Sequence, residues 1–215
     1  MKALPVYLFI LHCMISMPGV ASGRGLRSEP GKNDWVLKKE KDGITIYSRH
    51  SAISKFNDLR VEMDLPGTVS QLSSILFDVE KYPEWAYATR SCELIKKISA
   101  REIIYYSEIS VPWPASNRDF YADFKVNLDV DSHTLNVTSA GLKDYRCERK
   151  SLVRIPMSRG IWNVSTVSNK VIHLQYILQL DPGGSIPAWI LNIFATRGPM
   201  ETFTNLKKKM ELLNR

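Results

Sequence analysis

From Arg118 to Val130 the chain alternates without a break. Phe120, Ala122, Phe124, Val126, Leu128 and Val130 hold the even positions, and Asp119, Tyr121, Asp123, Lys125, Asn127 and Asp129 the odd ones. Successive side chains of an extended strand point to opposite faces, so this stretch reads as a long strand with one apolar and one polar face. The same period recurs along most of the chain. Leu59, Val61, Met63 and Leu65 alternate with Asp58, Arg60, Glu62 and Asp64, and Ile172, Leu174, Tyr176, Leu178 and Leu180 share one register of a strand over 171–180. Further strands are predicted over 35–39, 44–49, 92–98, 102–111, 134–140 and 153–167, with Asp42-Gly43 turning the first pair.

Two stretches change period. Val69, Leu72, Ile75, Leu76 and Val79 recur at helical spacing after Pro66-Gly67 ends a strand. Asp181-Pro182-Gly183-Gly184 breaks the last strand, and Ser185 is expected to cap a helix with Pro187 in its first turn. Ile186, Ile190, Ile193, Phe194, Phe203, Leu206, Met210 and Leu213 then form a stripe to the C-terminus, which Gly198-Pro199 should bend. The fold class is therefore α+β: one long antiparallel sheet, an early helix, and a terminal helix. Such a sheet twists and curls, and the terminal helix fills its concave side.

The patterned chain begins at Trp35. Met1-Lys2 is followed by an apolar run to Met17, and Gly19 and Ala21 sit where a signal peptidase cuts. Residues 1–21 are therefore expected to be a cleaved signal peptide, 22–34 a flexible lead-in, and 35–215 one domain. The apolar run is too short to span a bilayer. Export permits a disulfide between Cys92 and Cys147, although their separation alone does not decide it. The 215 residues carry 29 Lys+Arg against 22 Asp+Glu, a net +7. That excess suits either an anionic partner or an ordinary basic surface. Its interleaving with acids argues against nucleic acid.

Catalytic signals are thin. His50, His133 and His173 read as exposed. No Cys/His spacing suits zinc, and neither a phosphate-cradling glycine loop nor a nucleophile elbow occurs. No metal or cofactor is expected. Asn136 and Asn163 head formal glycosylation sequons, but both lie in strands. The informative polar residue is Arg118, which begins its strand on the apolar side, while Asp119 faces away. An inward arginine needs a partner. Three readings fit: Arg118 meets the polar group of a ligand, closes an internal ion pair, or lies at the rim and fixes the Val111-Pro112-Trp113-Pro114 loop.

The stretch Val111-Pro112-Trp113-Pro114-Ala115-Ser116-Asn117-Arg118-Asp119-Phe120 resembles the P-W-P-x-x-x-R-D signature of START (steroidogenic acute regulatory protein-related lipid transfer) domains. Trp35 with Asp42-Gly43-Ile44, Phe77-Asp78-Val79-Glu80-Lys81-Tyr82-Pro83-Glu84-Trp85 and Asp181-Pro182-Gly183-Gly184-Ser185-Ile186-Pro187 extend the likeness over nearly the whole patterned chain. The resemblance implies a helix-grip fold whose curved sheet and C-terminal helix enclose an apolar tunnel. It also implies a sterol, phospholipid, sphingolipid or other hydrophobic ligand carried without chemistry, by what we expect to be a monomer. The site expected is apolar with few polar anchors: Arg118, Phe120, Phe124, Leu174, Tyr176, Leu178, Trp189 and Ile193. Lys207-Lys208-Lys209 are expected to touch anionic headgroups transiently, with the Asp181–Ser185 turn and Gly198-Pro199 as hinges. The wider superfamily includes cyclases, so an enzyme of the cyclase or hydrolase type using acids such as Glu108 is the alternative. Many family members are cytosolic, whereas the leader here implies a periplasmic or secreted setting.

Overall fold

The computed structural model describes residues 34–146 and 149–214. The expected leader, nearly all of the lead-in, and Cys147 with its expected pairing to Cys92 lie outside the described residues.

A two-residue turn joins β1 (Val36–Lys41) to β2 (Ile44–His50). Asp42 and Gly43 there adopt φ of 54° and 77°, the left-handed pair that matches strand twist in a tight hairpin. After β3 (Asn57–Pro66), Thr68 caps α1 (Val69–Phe77). The Thr68 hydroxyl accepts from the Gln71 N–H at 3.2 Å, and the Gln71 side chain accepts from the Thr68 N–H at 2.8 Å. Val69, Leu72, Ile75 and Leu76 are the buried face of α1, as their spacing predicts. A short 3-10 helix (Val79–Glu84) leads into β4 (Thr89–Lys97), β5 (Glu102–Ile109), β6 (Arg118–Asp129) and β7 (Thr134–Gly141).

The strand expected over 153–167 is two strands. β8 (Val153–Arg154) pairs parallel with β6, and β9 (Met157–Ser168) pairs antiparallel with β7 and with β10 (Val171–Asp181). Pro156 lies between them and has no N–H to give a ladder, so the chain changes partners there. The sheet runs β1-β2-β3-β10-β9-β7-β6-β5-β4, with β8 beside β6.

The terminal helix comprises α2 (Ala188–Asn192), one π turn (Ile193–Arg197) and α3 (Gly198–Leu212). Ser185 is not its cap. Pro187 holds that position without a side-chain hydrogen bond, and the Ser185 carbonyl is already committed to Arg118. The expected irregularity at Gly198-Pro199 takes the form of the π turn just before it. The Gly198 N–H donates to the Ile193 carbonyl, five residues back. Pro199 has no N–H and its ring would strike the carbonyl four residues earlier in a regular helix, so a wide turn accommodates it. α3 packs on β2 and β3, and α1 on β6, β7 and β9. Between them Leu72, Leu76, Leu135, Leu174, Leu206 and Met210 are sealed from solvent.

Candidate functional site

The two ends of the sheet differ. At one end the β1–β2 turn, Gly67 and the start of β10 meet the last turns of α3. Lys207 Nζ donates to the Asp42 carbonyl at 3.3 Å, and a Cβ on Gly67 would come within 2.6 Å of Met210 Cε. This end is closed. At the other end lie the β2–β3 loop, the β5–β6 loop and the segment between β10 and α2. Ser54 Oγ ties the first of these to the Leu180 carbonyl.

Burial along the inner face falls toward that second end. On β10, Ile172 and Leu174 are fully buried, whereas Tyr176, Leu178 and Leu180 are half-buried, as is Leu59 opposite Leu178. The register explains the change. Val137, Trp162, Tyr176, Val61 and Ile46 lie side by side across five strands and form a bulky row. The next row outward is Phe124, Ser139, Gly160, Leu178, Leu59 and Ser48. Three of its six side chains are small, so the sheet surface dips into a trough above the bulky row, and the rings of Tyr105 and Tyr176 lean into it over Ser139 and Gly160. Gly160 lets Tyr176 pack down onto the strand: a Cβ there would stand 3.3 Å from Tyr176 Oη.

Aromatic rings wall this trough. Trp162, Tyr176 and Phe203 pack at 4.5 to 5.7 Å between centroids. Tyr105 touches Phe120 at 5.8 Å and Phe124 at 6.0 Å. Beside Tyr82, whose hydroxyl donates to the Leu76 carbonyl at 2.6 Å, two further phenols face the interior. Tyr105 shares a hydrogen bond of 3.2 Å with Ser139 Oγ, whereas Tyr176 Oη makes none among the described residues. Desolvation by burial pushes both phenols upward, so they stay neutral and able to donate.

The structure places five of the eight residues expected at the site on one face of the sheet. Phe120, Phe124, Leu174, Tyr176 and Leu178 share the inner face, and Ile193 is half-buried in the π turn. Trp189 is 49% exposed on α2. Trp162, Phe203, Tyr105, Ser139 and Gly160 were missed. Their strand parity marked the faces of the sheet residues, but parity alone does not say which rows stand beside one another.

Arg118 is buried yet meets no carboxylate among the described residues. Its Nη1 donates to the Ser116 carbonyl, and its Nη2 to the carbonyls of Gly183 and Ser185 at 3.3 Å each. It ties the start of β6 to the segment that launches the terminal helix. Asp119 does point to the other face, but it does not reach solvent. It is fully buried there, with both oxygens on Arg154 at 2.8 and 3.0 Å. The connection from β7 through β8 folds over this part of the outer face, which the strand pattern could not foresee. Glu108 is occupied by Arg90 at 3.2 Å and Asn117 Nδ2 at 3.1 Å. The lysine run lies at the closed end. Lys209 pairs with Glu84 at 2.6 Å and Lys207 holds Asp42, leaving Lys208 exposed. Among the described residues no three His, Cys, Asp or Glu side chains gather as metal ligands.

A curved, mainly antiparallel sheet gripping a long C-terminal helix is the helix-grip architecture. Within that architecture the chain belongs to the START domain family, which matches residues 27–214. It is 29% identical over 178 residues to an uncharacterized protein of Pseudomonas aeruginosa, covering 83% of this chain and 87% of that one. It is 28% identical over 170 residues to the phosphatidylcholine transfer protein of Mus musculus, covering 77% and 78%. Among solved structures, the STAR-related lipid transfer protein of Xanthomonas axonopodis superposes with a TM-score of 0.74 at 29% identity, covering 82% of this chain and 98% of that one.

Proposed function

We propose that this protein binds one lipid between the inner face of its sheet and the terminal helix, and carries it between membranes. The observation that supports this reading most strongly is the trough. Apolar surface continues along β10, β3 and β6 beyond the point where α3 seals it, so the inner face is built to cover more than the helix alone covers. The chemistry fits an amphiphile: aliphatic and aromatic walls for chains, and the unpaired Tyr176 hydroxyl as an internal donor. The likeness to a phosphatidylcholine transfer protein makes a phospholipid the first ligand to test. The leader expected over 1–21 supports a periplasmic or secreted setting, with a mature chain starting near Ser22.

Organic extraction of the purified protein followed by mass spectrometry tests the proposal, together with uptake of fluorescent phosphatidylcholine from vesicles. Wild type should release a lipid or take up the probe. Gly160→Val, which places a branched side chain in the trough against Tyr176, should lower the bound fraction several-fold while the fold survives. Absence of both extracted lipid and uptake by wild type would remove the proposal.

A further inference from the structure

We propose that the outer face of the sheet carries a second site, for a phosphate-type oxyanion, in the hollow walled by Arg90, Ser116, Asn117, Arg149, Ser151 and Leu152. The hollow has a volume of about 490 Å³ and is predominantly polar. It stands apart from the trough, because Glu108 on its wall belongs to the strand register opposite Tyr105.

Arg149 is the residue on which the site turns. Its guanidinium carbon lies 4.5 Å from the centroid of the Tyr106 ring. Among the described residues no carboxylate pairs with the Arg149 side chain, and its carbonyl accepts from the Leu152 N–H at 3.0 Å. Stacking on a ring fixes the plane of a guanidinium while leaving its in-plane N–H groups free to donate. The ring beneath is a firm support: Tyr106 is fully buried and rests on Tyr121 at 5.0 Å between centroids.

The opposite wall supplies the rest. Arg90 lines the hollow with Nη1 at 3.2 Å from Glu108 Oε1, and Asn117 Nδ2 donates to the same oxygen at 3.1 Å. Glu108 is thereby met by one cation and one amide, and the charge of Arg149 is left over. Ser116 and Ser151 add two hydroxyls. A stacked fork of donors, a second arginine and hydroxyl groups in a hollow suit a tetrahedral oxyanion carrying several acceptor oxygens. A neutral ligand could accept from the Arg149 fork but would leave its charge unmatched.

The hollow is also close in sequence to the second, less buried end. Ser116 is both part of its wall and the acceptor of Arg118, and Trp113, three residues earlier, is 87% exposed. Two sources of the oxyanion share this chemistry: the phosphate of a lipid headgroup at a membrane surface, and a soluble phosphate ester.

Calorimetric titration with inorganic phosphate, and flotation with vesicles of phosphatidylcholine alone or mixed with phosphatidic acid, separate them. Wild type should bind phosphate in solution if the source is soluble, or only the phosphatidic acid vesicles if it is a headgroup. In either case Arg149→Gln should weaken binding about 10- to 100-fold, and Arg149→Lys, which keeps the charge and loses the fork, should fall between. Thermal melting verifies that each variant is folded, and Ser151→Ala provides a second probe from another wall. Phosphatidylcholine uptake should be unchanged in all three, since the hollow lies on the other face. Failure of wild type to bind phosphate or phosphatidic acid vesicles, or binding indifferent to Arg149→Gln and Ser151→Ala alike, would overturn the proposal.

Discussion

A single arginine shows how much a side chain's partners matter beyond its direction. Arg118 points inward as its strand parity predicts; its two terminal nitrogens donate to three backbone carbonyls, and its Nε has no partner among the described residues. It acts as a latch between β6 and the lead-in to α2. Arg118→Met keeps the apolar stem and leaves the carbonyls of Gly183 and Ser185 without that donor. Gly183 is half-buried and Ser185 exposed, so water replaces part of the lost donor; the cost should be about 1 kcal/mol, with a lower melting temperature and faster amide exchange across 183–191. Affinity for phosphatidylcholine should change less than stability does. An unchanged melting temperature with about a tenfold loss of affinity would instead place the guanidinium on the ligand. Its neighbour Asp119 carries a different burden. With Arg154 it forms a two-bond pair on the outer face, and removing one partner of a buried pair strands the other charge.

The elements follow local rules where local rules are strong. α1 begins where Thr68 and Gln71 exchange hydrogen bonds, and Thr68→Ala should cost about 1 kcal/mol of stability in thermal or denaturant melts. A loss of under about 0.3 kcal/mol would mean that packing of Leu72 and Leu76 holds the helix without its cap. The terminal helix is governed less locally. Ser185 has the chemistry of a cap, but its carbonyl is drawn to Arg118, and the helix starts later. The π turn before Gly198 is likewise a compromise, absorbing Pro199 while Gly198 passes close to Tyr87, where a Cβ would stand 3.1 Å from Cδ1. The segment from 182 to 198 is thus held by a latch, a proline and an irregular turn, the set of hinges that the proposed lipid exchange would use.

At the scale of the whole molecule the polarity of the sheet's ends assigns different work to each. Ile53 and Trp113, 58% and 87% exposed, lie on two of the loops at the second end, and Trp189, 49% exposed, lies in the first turn of α2 just after the third segment. Exposed tryptophans suit a membrane interface. Trp113→Ala combined with Trp189→Ala should slow phosphatidylcholine transfer between vesicles several-fold while the amount of lipid held at equilibrium stays the same. Replacing Lys207, Lys208 and Lys209 by Gln should leave transfer rates from anionic and neutral vesicles equally unaffected, since two of the three are tied to the closed end. A selective slowing on anionic vesicles would return the lysines to the membrane contact.

The sequence by itself settled what depends on neighbours in the chain. Period two along 118–130 and 171–180 fixed which faces are apolar, Asp42-Gly43 fixed a hairpin, and Pro-Trp-Pro with Arg118-Asp119 pointed to the family. Tertiary structure decided what depends on partners distant in the chain. Parity places Gly160 and Ser139 on the inner face, but only the pairing of β7 with β9 sets them side by side and opens a trough. Asp119 reads as a solvent residue until the connection through β8 folds over it and supplies Arg154. The reason is the same in each case: side-chain direction is set by backbone dihedrals within a few residues, whereas burial and hydrogen-bond partners are set by register and crossover, which no local pattern encodes.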